Sequence, residues 1–439
     1  MAEAKGLIVA APATGQGKTT LTLGLIAALR ARGQRVAALK VGPDFIDPGF
    51  HYAAGATASF NLDHWAMRTE TRAALIAKAA DGADLVVAEG MMGLFDGAIA
   101  GGGSTADIAA ETGWPVFLAI DASAQGQSIA ALAQGFARFR SDVRVAGVVL
   151  TKVGGAPHRK LLAAALAGVN LRVFGMVAHD RTLAVPERHL GLVQAREHKL
   201  HRMMANVRDA VAAGVDLDAL CAAASPARPG AAAAPPPVPP PVPPLGRRIA
   251  VADDAAFAFA YEYVLAGWRA AGADILRFSP LADEGPPPDC DAVYLPGGYP
   301  ELHVERLANA QNFRVGVYAA AARGAAVYGE CGGYMTLGDA LIDAEGVSHT
   351  MLGLLPVTTS FFRPALQIGY RTMSLAADTP LGPAGARFRG QEFHYSAVSS
   401  EAATERLFQA ADADGTPLGP AGLRRGSVFG SYLHVIDAA

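Results

Sequence analysis

Cysteine is scarce in this chain: Cys221, Cys290 and Cys331 are the only three in 439 residues. They are too few and too scattered for a disulfide framework or a zinc cluster, and sparse thiols of this kind suit a reducing, cytoplasmic setting. A basic excess is also missing, since 37 Lys and Arg face 40 Asp and Glu for a formal net charge of −3. Nucleic-acid binders usually carry a strong basic surplus, so no nucleic-acid partner is expected. An acidic small molecule held in a local basic pocket remains compatible with that total. No long apolar run is free of charge, Gly and Pro in the way a membrane span requires, so no membrane partner is expected. The start, Met1-Ala2-Glu3-Ala4-Lys5, lacks the charged, apolar and cleavage regions of a signal peptide. There is no internal repeat.

What is present suits two cores. With 51% hydrophobic and 18% charged residues over 439 positions, the chain exceeds one ordinary domain. Between Cys221 and Arg247 the composition collapses to Ala and Pro, centred on the proline run 235–244. Such a stretch cannot supply ladder donors and reads as an extended linker. The expected division is a first domain over 1–222, a linker over 223–246 and a second domain over 247–439.

Upstream, short β-branched runs alternate with Ala/Leu-rich stretches: Leu7–Ala10, Arg35–Val41, Asp84–Glu89, Val116–Asp121, Arg144–Thr151 and Arg172–Val177. This rhythm predicts an α/β fold with a doubly wound parallel sheet, whose ligands sit at the carboxyl ends of the strands. Downstream, Arg248–Ala252, Asp274–Phe278, Ala292–Pro296 and Ala325–Tyr328 open a second α/β domain, and 351–373 looks richer in strands.

Thr14-Gly15-Gln16-Gly17-Lys18-Thr19-Thr20 follows the first apolar run and precedes an amphipathic helix. Gly15, Gln16 and Gly17 can turn backbone N–H groups toward phosphate oxygens. Lys18 can reach the outer phosphates, and Thr19 and Thr20 offer hydroxyls, Thr19 to Mg²⁺. Pro12 stands where the standard loop has its first glycine, so the loop is a variant. Asp44, in Gly42-Pro43-Asp44-Phe45-Ile46-Asp47, and Glu89, at the end of the third strand, supply hard oxygens suited to Mg²⁺. Asp47 and Asp96 share that rim and can orient a substrate or manage a proton, or serve only as turn formers. Lys40 and Lys152, at other strand ends, complete the nucleotide candidates.

Cys331 lies in Gly329-Glu330-Cys331-Gly332-Gly333, after an apolar run and before a helical segment. This strand-turn-helix context projects a nucleophile, and a helix N-terminus lowers a thiol pKa. Gly297 and Gly298 of Pro296-Gly297-Gly298-Tyr299, with Gly332, are candidate oxyanion donors. His434 in Ser431-Tyr432-Leu433-His434 is the candidate base. Cys221 and Cys290 read as inert.

Together these strings resemble a known family. Gly329-Glu330-Cys331-Gly332-Gly333-Tyr334-Met335, Pro296-Gly297-Gly298-Tyr299-Pro300-Glu301 and Ser431-Tyr432-Leu433-His434 resemble the class I glutamine amidotransferase domain. The first half, with Gly17-Lys18-Thr19-Thr20 and Glu89-Gly90, resembles the dethiobiotin-synthetase type of ATP-binding domain. Their fusion is similar to the cobyrinic acid a,c-diamide synthase family, including its branch acting on hydrogenobyrinic acid. The resemblance covers nearly the whole chain apart from the linker. It implies ATP, Mg²⁺ and L-glutamine, a polycarboxylate corrin-type macrocycle, and amidation of two acetate side chains through acyl phosphates; it admits a homodimer. Arg188, His189, Glu392 and His394 fall in further family strings and are expected at the macrocycle. Ile436 stands where many class I amidotransferases carry a Glu, leaving the third member of the thiol site open. Gln391 replaces a frequent His, and Thr151-Lys152 replaces a common base-reading Asn. Cobyric acid synthase and nickel-sirohydrochlorin diamide synthase are alternatives within the class. A partitioning-type ATPase with a non-catalytic second domain is the alternative outside it.

Overall fold

The computed structural model describes residues 4–183, 200–231, 240–402 and 404–439. The chain divides into two compact units, Met1–Trp65 with Thr69–Val238, and Ala66–Arg68 with Pro239–Ala439.

In the first unit, β1 (Lys5–Ala10), β2 (Val36–Val41), β3 (Ser59–Leu62), β4 (Leu85–Glu89), β5 (Val116–Asp121), β6 (Val145–Val153) and β7 (Arg172–Ala178) pair in parallel, ordered β3-β2-β4-β1-β5-β6-β7. Parallel strands covered on both faces need continuous apolar runs, and Leu7, Ile8, Val9, Val86, Val87 and Leu118 are fully buried. Helices such as Lys18–Ala31, Thr69–Ala80 and Ala156–Ala167 make the crossovers. All six expected strands form. β3 was not foreseen, because Ser59-Phe60-Asn61-Leu62 is short and half polar. Pairing with β2 nevertheless recruits it, and the Asn61 amide then donates to the Gly42 and Asp44 carbonyls at 2.9 and 2.6 Å.

The expected spacer 223–246 proves partly folded. Its first residue, Ala223, ends the helix Leu217–Ala223, and β8 (Ser225–Pro226) pairs antiparallel with the start of β1. Near its other end Val242 and Leu245 are buried, and the Val242 carbonyl accepts from Trp268 Nε1 at 2.9 Å. Proline lacks a donor, but its neighbours' carbonyls still accept and its ring still packs. Residues 232–239 lie outside the described residues.

In the second unit the strands are β9 (Arg248–Ala252), β10 (Asp274–Phe278), β11 (Ala292–Leu295), β12 (Ala326–Glu330), β13 (Ala340–Ile342), β14 (Ser348–Thr350), β15 (Val357–Ser360), β16 (Gln367–Leu375), β17 (Arg387–His394), β18 (Ala397–Glu401), β19 (Glu405–Asp412), β20 (Pro417–Arg425), β21 (Val428–Ser431) and β22 (Leu433–Ala438). One sheet runs β10-β9-β11-β12-β21-β20-β19-β16-β17-β22; a smaller one runs β14-β13-β15-β18. The block from β10 to β21 is parallel, so the carboxyl ends of β11 and β12 open side by side. Val293, Leu295, Val327, Tyr334 and Phe313 are buried in the core beneath that edge.

Candidate active sites

The glycine loop after β1 curls as its composition requires. Gly17 caps the helix Lys18–Ala31 at φ 86°, a conformation that a side chain resists. Lys18 Nζ donates to the carbonyls of Ala13 and Met92 at 3.2 and 2.5 Å, so it spans the loop. Burial, then the nearby charge of Lys40, lowers its pKa to about 8. Gln16 is clamped on both sides: its Oε1 accepts from Asp121 N at 2.9 Å and its carbonyl from Thr151 Oγ1 at 2.8 Å. Lys152 donates to Asp121 at 2.5 Å and to the Gly15 carbonyl at 3.1 Å. Beside the loop lies a cavity of about 360 Å³ whose walls include Gly17, Thr20, Leu21, Thr151, Lys152 and Val177.

Next to the loop, carboxylates gather at the ends of β2 and β4. Thr19 Oγ1 donates to Glu89 Oε1 at 2.6 Å, and Lys40 Nζ donates to the same oxygen at 3.3 Å. His51 bridges the other Glu89 oxygen and Ser59 Oγ, both at 2.9 Å. Burial opposes charge on Glu89, but Lys40, His51 and Thr19 outweigh it and hold the carboxyl well below its usual range. Lys40 also pairs with Asp47. Burial works against its charge too, yet Asp47, Glu89 and Asp44 keep it firmly protonated. Lys40, expected at the nucleotide, is also the buried counter-ion of this acidic cluster. Asp47 is pushed up to about 6 by burial, then by Asp44 and Glu89.

These residues fit a divalent cation. Asp44, Asp47 and Glu89 surround one buried lysine, so three carboxylates face one cation there. Among the described residues no three His, Cys, Asp or Glu side chains form a metal cage. Mg²⁺ needs none, because it keeps waters and binds through one or two protein oxygens plus phosphates. Thr19 and Glu89 converge as such a pair. Asp44 Oδ1 accepts from Ile46 N and Asp47 N at 2.8 and 3.1 Å and shapes the turn beside them. Asp96 is likewise a turn former, accepting from Gly93 N at 2.8 Å, but it stays exposed and its charge reaches Lys18.

In the second unit, Cys331 follows β12 at φ 47°, the strained geometry of a nucleophile elbow. Gly297 explains how the thiol and His434 come together. A Cβ on Gly297 would lie 2.7 Å from His434 Cε1 and 3.4 Å from Cys331 Cβ, so both side chains flank that glycine. Gly298 admits no side chain either, because its Cβ would meet the Ala256 carbonyl at 2.0 Å. Gly332 abuts Gly298 and Pro300. The sequence context suggested a thiol pKa lowered by a helix. Instead burial, then Glu301, raises it, and the helix Gly332–Leu337 spans only six residues. The resting group is a thiol that needs a base.

The third member of the site is Glu330, the residue before the nucleophile. Its carboxylate lies 3.7 Å from His434 Nδ1 and accepts from Tyr294 and Tyr328 hydroxyls at 2.8 and 2.7 Å and from Val435 N at 3.2 Å. Burial and the charge of Glu330 raise both tyrosine pKa values, which keeps them as donors. Glu392 and His394, expected at the macrocycle, lie on β17 near the thiol. Phe393 O accepts from Cys331 Sγ at 3.8 Å, and Gln391 pairs with His434 across to β22. Glu392 is held by Arg371 at 2.8 Å and by His394 at 3.0 Å, and His394 stacks on Tyr432. Arg188 and His189 lie outside the described residues.

The two units thus define a nucleotide-binding P-loop domain and a glutamine amidotransferase domain in one chain. Residues 7–193 match the CobQ/CobB/MinD/ParA nucleotide binding domain, and 248–439 match the CobB/CobQ-like glutamine amidotransferase domain. Hydrogenobyrinate a,c-diamide synthase of Brucella abortus is 52% identical over 99% of this chain and 98% of its own length. The Rhizobium meliloti protein of that name is 52% identical over 98% and 99%, and the Mesorhizobium japonicum one 47% over 99% of each. Among solved structures, PurLQS from Thermotoga maritima is 17% identical over 44% of this chain and 87% of its own, with a TM-score of 0.32. The chain belongs to the hydrogenobyrinate a,c-diamide synthase family. Among the described residues no helix is long and apolar enough to cross a membrane.

Proposed function

We propose that the chain converts the a and c acetate side chains of hydrogenobyrinate into amides in cobalamin biosynthesis, using ATP and glutamine. The observation that carries this reading is the 52% identity to hydrogenobyrinate a,c-diamide synthases over 99% of the chain, spanning both sites. An ionised carboxylate resists a nitrogen nucleophile until one oxygen becomes a good leaving group. Attack of the substrate carboxylate on the γ-phosphorus gives an acyl phosphate and ADP. Lys18 leaves the Ala13 and Met92 carbonyls to bind the outer phosphates, alongside N–H groups of Gly15, Gln16 and Gly17. Thr19 and Glu89 would hold Mg²⁺, which neutralises charge on the phosphates. The apolar cavity beside Gly17 takes the nucleotide base, with Thr20 and Lys152 on its wall. Asp47, tied to Lys40, sets the charge of the site, and exposed Asp96 faces the substrate.

At the thiol site, His434 takes the Cys331 proton as Sγ attacks the glutamine carboxamide. N–H groups at Gly298 and Gly332, with Gly297 beside them, receive the oxyanion. His434 returns the proton to the leaving ammonia, and water releases glutamate from the thioester. Glu330, 3.7 Å from Nδ1, stabilises the imidazolium once His434 has taken the proton. Ammonia then displaces phosphate from the acyl phosphate to form the amide. The test incubates the protein with ATP, Mg²⁺ and glutamine and with hydrogenobyrinate or cobyrinate, following amides by mass spectrometry. Two amides on hydrogenobyrinate are expected; no amide on either macrocycle overturns the assignment.

A further inference from the structure

We propose that Glu301 recognises the α-ammonium of glutamine at the thiol site. The inference rests on the glutamine reading above and adds to it the residue that selects the amino acid end of the substrate.

Three carboxylates, Glu301, Glu330 and Glu392, act on the Cys331 thiol, with Glu301 the strongest of them. Two are occupied. Glu330 accepts from Tyr294, Tyr328 and Val435 N, and Glu392 is held by Arg371 and His394. Glu301 differs: its Oε2 is buried, and among the described residues it has no hydrogen-bond partner. Among the described residues no lysine, arginine or histidine acts on its carboxyl, and burial pushes its pKa up to about 8. A carboxylate with one oxygen shut away from water and no counter-ion is costly, and among the described residues only a backbone hydrogen bond favours its charge.

Its place in the fold connects that open oxygen with the reaction. Glu301 lies in the short turn Pro300–Leu302, directly after the Gly297–Gly298 pair. Pro300 packs against Gly332, the residue following the nucleophile; a Cβ there would lie 2.9 Å from Pro300 Cδ. The turn therefore borders the elbow itself. Glutamine brings three polar groups to such a site: a carboxamide for the thiol, an α-carboxylate and an α-ammonium. The ammonium is the one cation among them, and so the one group that supplies a carboxylate with a counter-ion. Its arrival would ionise Glu301 and supply the missing counter-ion and donors together. Free ammonium, the product, shares this chemistry, and the experiment separates the two.

Glutamate release by the full-length protein is measured over a range of glutamine concentrations. Glutaramate, which is glutamine without its α-ammonium, serves as a competitive inhibitor. Glu301→Gln keeps the shape and removes the charge, and Glu301→Asp keeps the charge. Glu301→Gln is expected to raise the KM for glutamine by about 30-fold or more, the ordinary consequence of unpairing a buried ionic contact. The inhibition constant of glutaramate should stay within about twofold, showing an intact elbow, and Glu301→Asp should recover part of the glutamine affinity. An unchanged KM, or equal losses for glutamine and glutaramate, overturns the proposal. So does a variant altered only in product inhibition by ammonium chloride, which assigns Glu301 to the product. Absence of glutamate release by the wild type would instead defeat the glutamine reading itself.

Discussion

Glu330 and Glu301 both act on one thiol, yet their surroundings give them opposite tasks. Glu330 is fixed by two tyrosine hydroxyls and a backbone N–H, which hold its carboxyl beside His434. Glu330→Gln is expected to lower kcat for glutamine hydrolysis by roughly 100-fold, because a neutral amide neither selects the imidazole tautomer nor stabilises its charge. Glutamate release checks this, and Glu330→Asp should be less impaired. Glu301 has a different thermodynamic signature. Its carboxyl rises from an ordinary value of 4.5 to about 8 in the folded protein. The folded state therefore holds this proton more tightly than the unfolded one. The resulting stability is present below 4.5 and is lost as pH climbs toward 8. Without glutamine, the melting temperature of Glu301→Gln should fall less than that of wild type over this window. Each kcal/mol corresponds to roughly 2–4 °C for units of this size. Parallel pH curves would refute it.

Elements bring distant residues to these points, and here the sequence was only partly legible. The phosphate loop and the elbow were readable because their chemistry is local: Gly17-Lys18-Thr19 and Gly329-Glu330-Cys331-Gly332 each lie on one turn. Lys40 and Asp44 were assigned by proximity to strand ends, and their actual partners, Asp47 and the turn N–H groups, depend on side-chain directions that a sequence does not display. Glu330 was missed for a related reason. It reaches His434 only because β12 pairs with β21 while β22 pairs with β17. The available signal was an acid next to Cys331 combined with the apolar Ile436, where an acid was expected. Gly297 shows how little tolerance the junction has. Gly297→Ala should fold, yet its new Cβ would crowd His434 Cε1 at 2.7 Å. Glutamine hydrolysis is expected to fall by about tenfold or more, with a loss of stability of about 1–3 kcal/mol. Unchanged hydrolysis would show that the imidazole does not need that space.

For the whole molecule, the two sites imply separable losses. Cys331→Ala should abolish glutamine-driven amidation and leave ammonium-driven amidation near the wild-type rate. Lys18→Met should reduce both by about a thousandfold, since phosphoryl transfer precedes either nitrogen source. Amide formation followed with each nitrogen donor checks the pair, and a Cys331→Ala protein that still uses glutamine would move the nucleophile elsewhere. The β17–β22 pairing also has a consequence during synthesis. The nucleophile and its carboxylate leave the ribosome as neighbours, whereas the base comes much later, on a strand that must insert beside β17. A nascent chain stalled between them already carries the phosphate loop and the thiol but has no means of taking the thiol's proton. The β17–β22 pairing therefore has to form before His434 can meet Cys331.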